Sequence, residues 1–255
     1  RRSGEKRRRN KEKKFYIVKP NNGCMGKGIF MTANPNPKMF DNAVVQEYLA
    51  NPMLIEGRKF DLRCYVLLLS VAPLRVLFYR DGLVRMCAEE YTPPTEENIS
   101  VQCKHITNYA VNKRSENFEF NTNADEGDRG NKRDFKFLNR WFYQQGYDAE
   151  QIWEGIHDTI IKTFVAVQRT LAQSYKSSVT NDDDSGMACF ELLGFDIMLD
   201  NTGKAWLIEV NHSPSLVVET PLDHRIKLGL LRETLTLIHV PHTAKRYAAY
   251  QDRHG

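Results

Sequence analysis

Long apolar runs are missing from this 255-residue chain; the longest, Tyr65–Leu69, is the size of a strand. A membrane-spanning helix needs roughly 18–20 such residues, so no span is expected. No secretory signal is visible, because the basic N-terminal stretch has no apolar core behind it. Cysteine is sparse. Cys24, Cys64, Cys87, Cys103 and Cys189 are odd in number, scattered, and form no CxxC pair. Cys103 and His105 lie close, but no second pair completes a zinc site. Reduced thiols in a cytosolic protein are the expectation. Internal repeats are absent as well.

What is present is a core and an uneven charge. Hydrophobic residues make up 41% of the chain, enough for one large domain or two small ones. The net charge is +4, yet residues 1–14 hold nine Lys/Arg and two Glu, and the remainder is mildly acidic. Such a basic run suggests an acidic partner, RNA or a nuclear signal, and a solvated linker is the plain alternative.

The order of apolar patterns is strands, helices, strands, helix, which predicts α+β layers around an antiparallel sheet. Phe15–Val18 and Ile29–Thr32 read as strands across a glycine loop, and Ala43–Leu49 as a third. Phe60–Ser70 reads as a long strand broken by Ala72-Pro73. Arg75–Tyr79 and Leu83–Cys87 follow on either side of an Asp81-Gly82 turn signal. Residues 115–131, polar and rich in Asn, Asp and Gly, read as a mobile loop. A helix is predicted over Lys132–Gln145. A second is capped by Asp148 with Gln151 in the capping-box position, and carries a stripe from Ile152 to Leu171. Ser174–Gly186 reads as a loop. A hairpin over Asp200–Gly203 joins Phe190–Leu199 to Ala205–Val210, and a final helix covers Leu222–Ile238.

Two patterns carry chemistry. The first is Tyr-Ile-Val-Lys-Pro-Asn-Asn-Gly-Cys-Met-Gly-Lys-Gly-Ile-Phe-Met-Thr, residues 16–32. A P-loop and a Rossmann fingerprint both need a helix after the glycines, and here a strand follows. A protein kinase puts its glycine loop between strands, but no HRD or DFG motif lies downstream. By itself the loop is equally a glycine-rich hairpin. The second pattern is Asp196 within an apolar strand, with Glu209 and Asn211 two apart on one face of another. Burying such carboxylates unpaired is costly. Two carboxylates and an amide oxygen suit Mg²⁺, which takes oxygen ligands; an ion pair or exposure at a sheet edge would also relieve them. Taken with Lys19 and Lys27 in the glycine segment, this set points to ATP·Mg²⁺.

The chain resembles the tubulin tyrosine ligase-like family of the ATP-grasp fold. The resemblance rests on Tyr-Ile-Val-Lys-Pro, Gly-Cys-Met-Gly-Lys-Gly-Ile-Phe, Val-Gln-Glu-Tyr-Leu and Arg-Lys-Phe-Asp-Leu-Arg-Cys-Tyr-Val. It continues through His-Ile-Thr-Asn-Tyr-Ala-Val-Asn-Lys, Leu-Leu-Gly-Phe-Asp-Ile and Ile-Glu-Val-Asn-His-Ser-Pro-Ser, all in order over residues 15–238. His-Ser-Pro-Ser and Leu-Asp-His-Arg-Ile-Lys-Leu-Gly-Leu-Leu are most similar to polyglutamylase members that elongate side chains. The resemblance implies two lobes with the nucleotide between antiparallel sheets: a glycine-loop lobe over 15–50 and a larger lobe over 51–240. Residues 1–14 would be a basic tail or remnant linker, and 241–255 a C-terminal tail.

The resemblance also implies site roles. Lys19, Gly26, Lys27 and Gly28 would meet ATP phosphates, and Gln46, Glu47, Tyr48 and Leu49 would hold adenine. Lys59, Phe60, Asp61, Thr107 and Asn108 would also contact the nucleotide. Asp196, Glu209 and Asn211 would hold Mg²⁺, with Arg85 and Glu209 the catalytic pair. Arg85, Tyr109, Lys132 and Lys227 would bind free L-glutamate, and Met25 and His212 would face the acceptor. The alternative for Lys132 and Lys227 is a solvated helix face, and Arg63 is a candidate ion-pair partner for Asp61. The implied reaction is ATP-dependent glutamylation of acidic tubulin tails on microtubules by a monomer, with no nucleic acid or membrane involved. The implied location is the cytoplasm and cytoskeleton, extending to cilium, flagellum or basal body. A glycine ligase and an inactive microtubule-binding relative are the competing readings. Two departures stand out: family members carry a larger N-terminal lobe, so a fragment or reduced member is expected, and Met25 stands where many relatives have Gln.

Overall fold

The computed structural model describes residues 13–21, 28–123, 127–179 and 189–238. Two antiparallel sheets organise them. The smaller has the order β2-β1-β3, built from β1 (Tyr16–Pro20), β2 (Phe30–Thr32) and β3 (Ala43–Glu47). The larger has the path β7-β6-β5-β8-β9, with β4 (Leu54–Ile55) pairing β5 off that path. Its long members are β5 (Arg58–Val71) and β6 (Leu74–Met86). The others are β7 (Lys132–Asp134), β8 (Glu191–Leu199) and β9 (Ala205–Asn211).

Side chains alternate across a strand, so β5 separates into two faces. Phe60, Leu62, Cys64 and Val66 point one way, and join Val84, Met86, Phe195 and Ile197 in the main core. Helices α3 (Phe135–Gln145) and α4 (Ala149–Ser178) cover that face with Phe135, Leu138, Phe142, Ile152, Ile156, Ile160 and Phe164. The opposite face carries Lys59, Asp61, Arg63 and Tyr65. Only its far end is apolar, where Tyr65 and Leu83 pack on Leu222, Ile226 and Leu230 of α5 (Pro221–Leu237). Two single-turn helices, α1 (Gln102–His105) and α2 (Tyr109–Asn112), lie on the connection between β6 and β7.

Local chemistry sets the helix ends. Asp134, Asp148 and Thr220 accept hydrogen bonds from Phe137 N, Gln151 N and Asp223 N, so each helix start is capped by its own side chain. Gly146 ends α3 in the left-handed region at φ 75°, a conformation glycine adopts without a Cβ penalty.

Several expectations need correction. Asp81-Gly82 is no turn: β6 runs unbroken through it, opposite a register shift between Cys64 and Val66. Asp81 Oδ1 accepts from Gly82 N, and a Cβ on Gly82 would lie 2.5 Å from both Arg63 O and the Phe135 ring. The glycine is there for close packing at a bulge. Lys132 does not open a helix; it lies on β7, and Asp134 caps the helix that starts at Phe135. The predicted loop beginning at Ser174 starts too early, since α4 continues to Ser178. Within the predicted 115–131 loop, Asn121 and Asn131 are buried, and Asn131 donates to Cys87 O at 3.0 Å. Cys64, Cys87, Cys103 and Cys189 are free thiols, whereas Cys24 lies outside the described residues.

Candidate functional site

The polar face of the large sheet carries a charged row. Antiparallel register sets Lys132 opposite Arg85, Arg85 opposite Asp61, Arg63 opposite Asp196, and Asp196 opposite Glu209. Directly opposed residues share a face, so the row crosses from β7 to β9.

At its centre is a buried network of arginines and aspartates. Arg85 holds Asp61 through two bonds of 2.7 and 2.6 Å and reaches Asp196 at 2.6 Å. Arg63 holds Asp196 at 2.6 and 3.2 Å. Arg63 therefore pairs with Asp196 rather than with the expected Asp61. Burial alone would raise the Asp196 carboxyl, but the guanidiniums of Arg85 and Arg63 outweigh it and hold the group below the usual carboxylate range. Thr107 Oγ1 donates to Asp61 Oδ2, which fixes the second carboxylate.

Glu209 has a different environment. Partial desolvation and the neighbouring Asp196 charge push its carboxyl above the ordinary value, and Lys19 and Asn211 only partly oppose them. Asn211 Nδ2 donates to Gly194 O at 3.2 Å and to Glu209 Oε1 at 3.4 Å, which leaves the amide oxygen as its remaining ligating atom. Asp196, Glu209 and Asn211 thus do converge. Among the described residues no group of three or more His, Cys, Asp or Glu could hold a metal, so the two carboxylates here form no metal cage by themselves.

Lysines flank the network toward the small sheet. Lys59 is buried, donates to Tyr48 Oη at 2.9 Å and His105 O at 2.8 Å, and lies 4.0 Å from the Tyr48 ring centroid. Burial lowers its ammonium to about 8. Tyr48 Oη and His105 Nδ1 are 3.1 Å apart, and His105, held down to about 4 chiefly by burial, is neutral at pH 7. Lys19 reaches from β1 to Gln46 Oε1 at 3.2 Å and to Ile208 O of β9 at 3.5 Å, which ties the two sheets together.

A second cluster lies at the β7 end. Lys132 donates to Asp223 Oδ2 at 2.7 Å, and Lys227 lies 3.3 Å from Asp223 Oδ1. Both lysines are buried, which rules out a solvated helix face. Lys132 Nζ stands 3.9 Å from the Tyr109 ring centroid. The Glu219 carboxylate is 3.6 Å from both Lys113 and Lys132, and burial together with that carboxylate pushes the Tyr109 hydroxyl up to about 12. Burial would raise Asp223, but Lys132 and Lys227 hold it low.

Other expected site residues lie at the edges or elsewhere. Phe60 turns away into the main core. Asn108 caps α2, Glu47 is exposed and pairs with Lys14, Leu49 is half-buried, and His212 is exposed. Gly28 is described, with φ 76°, whereas Met25, Gly26 and Lys27 lie outside the described residues. Sequence reasoning missed Glu219 and the role of His105. Nothing in the local sequence around Asp223, whose N–H donates to Thr220 Oγ1, signals that its carboxylate anchors two lysines.

The fold and this face define an α+β protein with an antiparallel sheet presenting interspersed cations and carboxylates. The sequence profile of the tubulin-tyrosine ligase family matches residues 1–247, and the chain belongs to that family. It is 43% identical over 233 residues to tubulin polyglutamylase ttll6 of Danio rerio, covering 91% of this chain and 29% of that protein. It is 40% identical over 247 residues to tubulin polyglutamylase TTLL13 of Homo sapiens, covering 96% and 30%. It is 44% identical over 237 residues to a probable beta-tubulin polyglutamylase of Tetrahymena thermophila, covering 92% and 20%. The chain therefore spans less than a third of the length of these relatives.

Proposed function

We propose that the chain is the catalytic part of a tubulin polyglutamylase, an ATP- and Mg²⁺-dependent ligase that joins free glutamate to glutamate side chains of tubulin tails. The observation that carries this reading is the charged row: Lys59, Arg85, Asp196, Glu209 and Lys132 share one face of the large sheet, and Lys19 from β1 and Lys227 from α5 approach it. The family and its polyglutamylase relatives supply the substrate class.

In this reading the small sheet and the large sheet are the two lobes of an ATP-grasp fold, and ATP lies between them. Lys19 and Lys59 neutralise phosphate oxygens, joined by Lys27 from the glycine segment. Tyr48 and its neighbours Gln46, Glu47 and Leu49 hold the base. A hard divalent cation suits Asp196, Glu209 and Asn211, because strand register sets two carboxylates side by side with an amide beside them, an oxygen-only donor set. When bound, that ion supplies charge stabilisation to the transferring phosphoryl group.

The acceptor glutamate carboxylate attacks the γ-phosphorus of ATP, ADP leaves, and an acylphosphate results. The donor α-amine, once deprotonated, attacks the acyl carbon, and inorganic phosphate departs as the amide forms. Arg85, Tyr109, Lys132 and Lys227 orient the donor through charge-assisted bonds to its carboxylates. No enzyme nucleophile is required. His212, exposed just beyond β9, and Met25, by its place in the glycine segment of the sequence, are assigned to the acceptor chain, which grows by elongation. The setting is the microtubule cytoskeleton, including cilia and basal bodies.

The test is incubation of the purified chain with tubulin, ATP·Mg²⁺ and single amino acids, followed by mass measurement of the tails. A ladder of glutamyl units is expected. A glycyl ladder would replace the donor assignment, and unmodified tails alongside normal ATP binding would replace the ligase assignment.

A further inference from the structure

The lysine cluster at the β7 end already holds a carboxylate. Glu219 sits on the segment between β9 and α5, with its carboxylate 3.6 Å from Lys113 and from Lys132, whose ammonium groups stand 5.1 and 3.9 Å from the Tyr109 ring centroid. Its side chain is a carboxylate on a short aliphatic stem, the same chemical group as the side chain of free glutamate. The backbone around it is pinned: Glu219 N donates to Asp223 Oδ2 at 3.3 Å, and Val217 O accepts from Lys227 Nζ. The side chain itself is one-third exposed, so it can rotate away while the main chain stays in place.

Asp223 is the contrasting neighbour. It is fully buried, its Oδ2 is 2.7 Å from Lys132 and its Oδ1 3.3 Å from Lys227, so it is a fixed counter-ion for both lysines. Lys113, Lys132 and Lys227 against Asp223 alone leave two positive charges, and Glu219 cancels one of them. In water-accessible clusters such a counter-ion is exchangeable, because an exposed pair is held by little free energy.

We propose that Glu219 is an internal stand-in for the donor side-chain carboxylate, and that a dicarboxylic amino acid binds by displacing it from Lys113 and Lys132. This rests on the donor-site reading above and adds a residue that tunes donor affinity. Glu219 is a specificity-determining residue here, with no part in bond making.

The experiment measures equilibrium binding of L-glutamate and of glycine to the purified chain, with a non-hydrolysable ATP analogue and Mg²⁺ present. Wild type, Glu219→Gln, Glu219→Ala and Lys132→Met are compared, and thermal melts check that each variant folds. Both Glu219 variants are expected to bind glutamate roughly fivefold more tightly, the scale of one solvent-accessible ion pair, with nucleotide affinity unchanged. Glycine, which has no side-chain carboxylate, should change little. Lys132→Met should weaken glutamate. If both Glu219 variants bind glutamate equally or more weakly while Lys132→Met still weakens it, the donor site stands and the displacement idea is overturned. If Lys132→Met leaves glutamate affinity intact, the donor assignment itself fails, and the displacement idea falls with it.

Discussion

Glu209 and Arg85 show how one network assigns opposite roles to individual residues. Glu209 has a raised pKa because it is partly desolvated and because it faces Asp196. An acid raised in the folded state adds stability that is complete below its unfolded pKa and is lost as pH rises through the folded value. Charging Glu209 near neutral pH therefore works against the cation-free fold. Glu209→Gln keeps the shape and removes that charge, so melts without nucleotide should show an unchanged or higher Tm at pH 7 while ligation is abolished. Near-normal ligation by this variant would remove Glu209 from the proposed metal set.

Arg85 is the reverse case. Its guanidinium is the shared partner of Asp61 and Asp196, both nearly fully buried. Arg85→Ala leaves two carboxylates under-paired, and removing one partner of a buried ion pair costs about 3–5 kcal/mol. Urea unfolding should show that loss. The apparent glutamate requirement of the folded fraction should rise far more than the ATP requirement. A variant as stable as wild type, with a defect confined to ATP binding, would contradict both the geometry and the donor role.

Elements explain why strand alternation was readable and one turn was not. Alternation of Lys59, Asp61 and Arg63 with Phe60, Leu62 and Cys64 is visible in the sequence, and the sheet turns it into a charged face and a core face. The Asp81-Gly82 signal misleads because Asp-Gly suits tight turns and bulges alike, and only the packing of Phe135 and Arg63 over Gly82 distinguishes them. Gly82→Ala should force backbone or ring apart and cost about 2–3 kcal/mol, as overpacking does. The check is the urea midpoint. An unchanged midpoint would mean that β6 can shift at this point without strain.

At the scale of the whole molecule, the charge is lopsided: residues 1–14 carry +7 on an otherwise acidic chain. Tubulin tails are the acidic partner in the proposed function, and attraction between exposed charges fades beyond a Debye length of about 10 Å at 0.1 M salt. Deleting residues 1–14 should weaken co-pelleting with microtubules at low salt, with a smaller effect at high salt, and should leave ATP affinity unchanged. Pelleting that does not change across the salt series would make the segment a linker.

The sequence by itself determined the broad order of strands and helices, the hairpin from β8 to β9, the Asp148 cap of α4, and the two faces of β5. These depend on local periodicity and on side chains bonding their own backbone, which neighbours in the chain decide. Tertiary structure alone decided which charges meet. Arg63 pairs across the sheet with Asp196, 133 positions away, rather than with Asp61 two residues away on its own strand. Lys132 and Lys227, ninety-five positions apart and each readable as a solvated lysine, are buried on one carboxylate, Asp223. Strand register and the docking of α5 bring these groups together, and register is set by which apolar face the core buries, a choice made by the whole sheet at once.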